Sequence, residues 1–207
     1  MDNGYTYFQY GSRETDYLSR RDPCMARTIA TIGHVERRVI PDLFTALVHA
    51  IAGQQISSKA HATVWERICR GMGEITPATV MATPLERLQS FGISFRKAGY
   101  IRSAAERILS GRFDLGTLGS MTDDEVCARL SELDGVGRWT AEMLMLFSMQ
   151  RPDILSYQDA GIMKGLRTIH GLDRIGREEF ERYRQLYSPY ASTASIYLWE
   201  AASMAPR

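Results

Sequence analysis

Apolar positions along this chain recur at three- and four-residue intervals in short stretches, and no stretch alternates apolar and polar with a period of two. Pro41 opens residues 42–51, Asp-Leu-Phe-Thr-Ala-Leu-Val-His-Ala-Ile, whose apolar residues cluster at helical spacing. Helices are predicted over 26–32, ending near Gly33, over 62–72, and over 85–91, closed by Gly92. Residues 94–109 read as an amphipathic helix with a basic edge (Arg96, Lys97, Arg102, Arg107). A charged face is as a rule merely solvated; Arg96 and Lys97, at the helix start, are the stronger candidates for phosphate contact. A polar run over 122–132 and an apolar one over 138–147 follow a glycine-containing linker, 111–121. Further helices are predicted from Asp159 to about His170, over 177–186 and over 192–203. Asp22-Pro23, Thr76-Pro77 and Thr83-Pro84 mark helix starts, with a capping side chain ahead of a proline. The expected fold class is all-α.

At 207 residues the chain suits one domain or two closely packed lobes. Hydrophobic residues make up 44% and charged residues 24%, which excludes a disordered chain. A formal net charge of +1 announces no global basic field, so contact with nucleic acid must rest on local patches and backbone donors. Residues 1–21 are polar and aromatic (Tyr5, Tyr7, Phe8, Tyr10), unlike a secretion signal, and no apolar run reaches membrane length. A cytoplasmic protein is expected. Cys24, Cys69 and Cys127 are scattered and fit neither a disulfide framework nor a metal-ligand spacing. His34, His49, His61 and His170 form no visible cluster.

Between the runs 122–132 and 138–147 stands Leu133-Asp-Gly-Val-Gly-Arg-Trp-Thr-Ala141. Gly135 and Gly137 flank Val136 in a tight hairpin, where glycine takes positive φ at little steric cost. Backbone N–H groups there, with the start of the next helix, make a concave donor site suited to a phosphate. This run resembles the helix-hairpin-helix of the DNA glycosylase superfamily that pairs such a hairpin with a downstream aspartate (HhH-GPD). Ser156-Tyr-Gln-Asp-Ala-Gly-Ile-Met-Lys-Gly165 looks like that aspartate segment, with Asp159 at the key place. Either motif alone also occurs outside enzymes; both in order are specific. The resemblance is strongest to the alkylation-repair branch, that of 3-methyladenine DNA glycosylase II, without its β-rich N-terminal domain.

The resemblance implies two helical lobes with the active-site cleft between them. Residues 41–150 would form the lobe carrying the hairpin, and 1–40 with 151–207 the other. Gly135, Gly137 and Thr140 would give backbone N–H groups to a DNA phosphate, and the carbonyls of Ser131, Leu133 and Val136 would hold Na+ or K+. Residues 52–60 resemble the family's Gly-Gln-Gln-Ile-Ser bend, with Gln55 at the wedge that fills the space left by an extruded base. Read without the family, that bend is a helix break whose amides satisfy loose backbone groups.

A base inside a duplex must be flipped out before its glycosidic bond is attacked. Cleavage develops oxocarbenium character on the sugar, and a carboxylate beside it stabilises that charge and can position water. The resemblance gives this role to Asp159; the bland alternative is a helix N-cap, and the two are compatible. Trp139 stands where strand-cutting members carry a Schiff-base lysine, and an indole has no amine to form that intermediate. Arg138 cannot substitute, because its guanidinium stays protonated. Trp139 and Trp199 match the tryptophans that line the base pocket in alkylation enzymes, where electron-rich rings suit a cationic purine. The bland alternative is ordinary core.

No catalytic cofactor is expected. An iron–sulfur cluster is excluded because no cysteine follows Cys127. Ala191 replaces an arginine and Gln158 an acidic residue of some relatives. The expectation is a monomeric, nucleoid-associated, monofunctional glycosylase acting on double-stranded DNA with a damaged base, 3-methyladenine foremost. The alternatives are a glycosylase for uracil or other deaminated or mismatched bases, or a non-catalytic helix-hairpin-helix DNA-binding protein.

Overall fold

The structure, a computed structural model, describes residues 6–204; Tyr5 of the aromatic start lies outside the described residues. Its elements run β1 (Thr6–Tyr7), α1 (Ser12–Arg21), α2 (Pro23–Ile32), β2 (Arg38–Val39), α3 (Leu43–Gly53), α4 (Ser58–Met72) and α5 (Pro77–Ala82). Next come α6 (Leu85–Ser90), α7 (Phe95–Leu109), a 3-10 turn (Gly116–Ser120), α8 (Asp123–Leu130), α9 (Arg138–Phe147), α10 (Ala160–His170), α11 (Arg177–Tyr187) and α12 (Ala191–Met204). Among the described residues the fold is all-α apart from a two-residue antiparallel ladder, Thr6 opposite Val39 and Tyr7 opposite Arg38. Among the described residues no helix is long and apolar enough to cross a membrane.

Local chemistry explains most helix starts. Asp42 caps α3 by accepting the Thr45 N–H at 2.7 Å, so the helix begins one step after the Asp42 that follows Pro41. Thr76 with Thr79, and Thr122 with Glu125, form reciprocal capping boxes at α5 and α8. Each such cap contributes about 1 kcal/mol. The polar helix α1 escapes apolar periodicity because it buries only Leu18. Its signal is the Glu14 carboxylate reaching back to the Gly11 N–H at 2.8 Å.

The chain divides into two compact units, Ile40–Met149 and, joined from both ends, Met1–Val39 with Gln150–Arg207. In the middle unit, α3 buries Phe44, Ala46, Leu47, Val48, Ile51 and Ala52, and α9 is buried from Thr140 to Leu146. The stretch expected as a linker, 111–121, is anchored by Phe113 and Leu118, both fully buried, and contains the 3-10 turn.

In the terminal unit α12 is buried along most of its length. It crosses α10 closely because α10 carries Gly161 and Gly165 one turn apart. A Cβ on Gly165 would lie 2.2 Å from the Leu198 carbonyl oxygen, so only glycine permits this crossing. Leu18, Met25, Ile162, Leu166, Phe180, Tyr187 and Leu198 fill the surrounding core.

Candidate functional site

In the middle unit the hairpin turns on Gly135, at φ +78°, while Gly137 has φ −91° and caps α9 in extended conformation. Of the two hairpin glycines, only Gly135 takes the positive φ that suits glycine to such a turn. There a Cβ would also stand 2.3 Å from the Tyr100 ring. At Gly137 an added Cβ would meet nothing within 4 Å, so its value lies in an uncluttered backbone at the helix start. Helix α9 therefore begins without a side-chain cap, and its first carbonyl partner is used by Ala141, whose N–H donates to the Gly137 oxygen at 3.0 Å. The N–H groups of the first turn have no partner within the helix. Thr140 is buried, and Trp139 is 40% exposed, unusual for so large an apolar side chain.

The Gln54–Gln55 bend lies in the same unit and is tied to the hairpin. Gln54 Nε2 donates to the Gly135 carbonyl at 2.8 Å and lies 3.4 Å from Thr140 Oγ1. Gln55 is exposed and has φ +57°, a left-handed conformation that costs a residue with a Cβ about 1 kcal/mol. Lys97, a candidate for phosphate contact, sends its ammonium to the Ala52 carbonyl at 2.9 Å and the Gln54 carbonyl at 2.5 Å. These are orphan carbonyls at the end of α3, where a cation is favoured. Burial lowers the Lys97 pKa from its ordinary value.

Helix α7 thus acts as a brace for both the bend and the hairpin. Tyr100 packs on Gly135, and Ser103 Oγ donates to Asp134 Oδ2 at 2.7 Å. Arg107 donates to the Glu132 carbonyl at 2.5 Å. Arg96 donates to the Tyr100 hydroxyl, and Arg102 reaches the Thr83 carbonyl at 3.5 Å. Positions 97, 100, 103 and 107 share one helical face, so Lys97 and Arg107 of the basic edge find partners inside the protein beside Tyr100 and Ser103.

In the terminal unit Asp159 is the N-cap of α10, buried with only 7% of its surface exposed, and its Oδ1 accepts the Ile162 N–H at 2.9 Å. The same oxygen accepts the Trp199 indole N–H at 2.9 Å. Sequence reasoning singled out Asp159 and Trp199 separately; the structure joins them by a hydrogen bond. It missed Gly161, whose Cβ would stand 2.6 Å from Trp199 Cδ1 and 3.1 Å from Asp159 Oδ1. The Arg37 guanidinium lies over the Trp199 ring, 5.3 Å from its centroid. The two residues of doubtful match also take their places here: Ala191 begins α12 fully buried, and Gln158 directly precedes the cap.

Two clusters went unseen in the sequence because their members are far apart in it or sit on different helices. Asp22, Cys24 and His170 place donor atoms within 4.8 Å of one another. These groups already satisfy each other. Asp22 accepts from the Cys24 N–H at 2.8 Å and the Tyr187 hydroxyl at 2.7 Å, and His170 Nε2 lies 3.3 Å from Asp22 Oδ2. Desolvation would raise the Asp22 pKa, but the hydrogen bonds from His170, Tyr187 and the Cys24 backbone outweigh it and hold it at about 2. Arg27 donates to the Cys24 sulfur at 3.1 Å. The cluster staples the two chain ends of this unit. In the middle unit His49 and His61 pack at 4.2 Å between ring centroids, contrary to the expectation that no histidines cluster. Burial, with some repulsion from His61, lowers the His49 pKa to about 4.

This arrangement has close counterparts among known proteins. DNA-3-methyladenine glycosylase 1 of Schizosaccharomyces pombe is 30% identical over 167 residues, spanning 78% of this chain and 73% of that protein. The S. pombe 3-methyladenine DNA glycosylase solved in complex with abasic DNA superposes with a TM-score of 0.83 at 27% identity, covering 93% of this chain and 98% of that one. A DNA-3-methyladenine glycosidase from Bacillus halodurans superposes with a TM-score of 0.81 at 31% identity, covering 97% and 93%. A family model for HhH-GPD superfamily base excision DNA repair proteins matches residues 48–189, from within α3 to the turn before the last helix, and takes in the hairpin and Asp159. With bend, hairpin, capping aspartate and this match all present, the chain belongs to the HhH-GPD superfamily of base excision DNA repair proteins.

Proposed function

We propose that this protein is a monofunctional DNA glycosylase of base excision repair that releases alkylated purines, 3-methyladenine foremost, and leaves an abasic site. The observation that carries the reading is the buried Asp159 carboxylate, held at the start of α10 by the Ile162 N–H and the Trp199 indole in a chain of this family. A carboxylate kept from bulk water acts strongly on developing positive charge at the sugar, because the local dielectric is low. An alkylated purine is already a cationic leaving group, so no general acid is required. No catalytic cofactor enters the reaction.

The middle unit supplies the DNA contacts in this reading. The N–H groups of Gly135, Gly137 and Thr140 receive a phosphate, and Gln55 enters the space left by the flipped base. The Glu132 and Gly135 carbonyls are engaged by Arg107 and Gln54. The carbonyls of Ser131, Leu133 and Val136 suit Na+ or K+ as an oxygen-donor set for a hard ion, although Leu133 also accepts the Val136 N–H at 3.0 Å. Trp139 offers its exposed ring to the cationic base. The active species is a monomer, working in the cytoplasm on the nucleoid.

The test is release of free 3-methyladenine from methylated duplex DNA, with bases identified by chromatography. Asp159→Asn is expected to abolish release while preserving binding to abasic DNA. Borohydride is expected to trap no covalent adduct; a trapped adduct would overturn the monofunctional reading. Tight DNA binding by the wild type, with no base released from any lesion in a panel including uracil and hypoxanthine, would leave a binding module instead.

A further inference from the structure

We propose that Trp199 is a positioning residue for the Asp159 carboxylate, acting through its indole N–H, and that Gly161 exists to let it reach. This rests on the reading of Asp159 as the catalytic carboxylate. An N-cap bond from Ile162 alone marks one carboxylate oxygen. Two donors converge on Oδ1, one from α10 and one from α12. Rotation about Cβ–Cγ would break both bonds at once, and hydrogen bonds to a charged acceptor are stronger than neutral ones. The carboxylate plane is therefore set before substrate arrives, which is the geometric requirement for stabilising charge at one place.

The surrounding packing is built for this contact. Gly165 lets α10 approach the Leu198 backbone, which brings residue 199 of α12 alongside the start of α10. Gly161 then removes the one atom that would collide with the indole, at 2.6 Å from Cδ1 and 3.0 Å from Nε1. The orientation also separates two roles a pocket tryptophan can play. Arg37 occupies one face of the ring at 5.3 Å, while the indole edge carries the N–H to Asp159. That edge function is one a phenyl ring cannot replace.

Trp199→Phe keeps an aromatic face and removes the donor. Under single turnover on DNA containing 3-methyladenine, its rate of base release is expected to fall roughly 10- to 100-fold, the equivalent of one hydrogen bond to a charged group. KM and affinity for abasic DNA should stay within about twofold if the effect runs through Asp159 alone. A Trp199→Phe protein with the wild-type rate overturns the proposal and leaves the ring as the functional part. A rate loss matched by an equal loss of abasic-DNA affinity overturns it too. If Trp199→Phe fails to fold, Gly161→Ala decides: it retains the indole but displaces it. A rate loss at native thermal stability supports the proposal, and a wild-type rate overturns it. Asp159→Asn is measured in parallel. If that variant is fully active the reading of Asp159 falls; if it is inactive while Trp199→Phe is unimpaired, only the positioning role falls.

Discussion

Gln55 shows how a single residue can carry strain that the surrounding sequence does not announce. Its φ of +57° would suit glycine, yet the position holds a long polar side chain at the exposed tip of the bend. Strain of this kind persists where the side chain has a use. Gln55→Gly relieves about 1 kcal/mol of backbone cost and adds a similar entropy to the unfolded chain, so its Tm is expected to stay near wild type. Gln55→Val is expected to lower Tm, because a β-branched residue tolerates the left-handed region poorly. Both should slow excision; undiminished release by Gln55→Gly would remove the side chain from the DNA contact. At this scale the hairpin was legible because Gly135, Val136 and Gly137 are neighbours in the chain. Gly161 was not, since the ring it accommodates is 38 residues away, a distance read directly from the numbering of Gly161 and Trp199.

Helix α7 is the element whose role changed most between sequence and structure. Its four basic residues suggested a phosphate-facing edge; the structure gives Lys97 the carbonyls at the end of α3 and Arg107 the Glu132 carbonyl, partners that brace the bend and the hairpin. The two roles differ in a measurable way. Lys97→Met is expected to cost about 1–2 kcal/mol of stability, because two carbonyls lose a charged donor at a partly exposed site where water replaces some of it. DNA affinity should fall, with the slope of log K against log salt unchanged. A phosphate contact would instead reduce that slope by roughly 1. Periodicity showed that α7 exists and which face is polar. It could not show that the polar face meets carbonyls of other elements, because periodicity carries no information about partners.

For the molecule as a whole, the two units carry different acid sensitivities. His49 has a folded pKa of about 4 against an ordinary 6.5. His61 is lowered as well, chiefly by burial, opposed by its hydrogen bond to the His49 carbonyl and aided by the charge of Lys97. The unfolded chain therefore binds protons first as pH falls. The stabilisation from keeping His49 neutral is complete above pH 6.5 and lost as pH drops through about 4, amounting to about 3 kcal/mol. Asp22 behaves in the same direction at lower pH: its contribution is complete above 3.8 and is lost as pH falls through about 2. Between pH 7 and 4.5, hydrogen-exchange protection factors, corrected for the intrinsic exchange rate at each pH, are expected to fall in Ile40–Met149 before they do in the terminal unit. His49→Phe should flatten that response; an equal loss of protection in both units at every pH would contradict the assignment.

The sequence by itself determined the helical class, most helix starts and the hairpin, because caps, prolines and glycines act on their own neighbours within a few residues. Through the family resemblance it also singled out Asp159, Trp139 and Trp199 as candidates for the chemistry. Tertiary structure alone decided which of these residues meet. The Asp159–Trp199 bond, the Gly165 crossing, the Gln54 tie to Gly135, and the Asp22–His170–Tyr187 staple all join distant positions. Each depends on how closely two helices pack, and that distance is set by side chains on both at once, which no local pattern in one stretch can express.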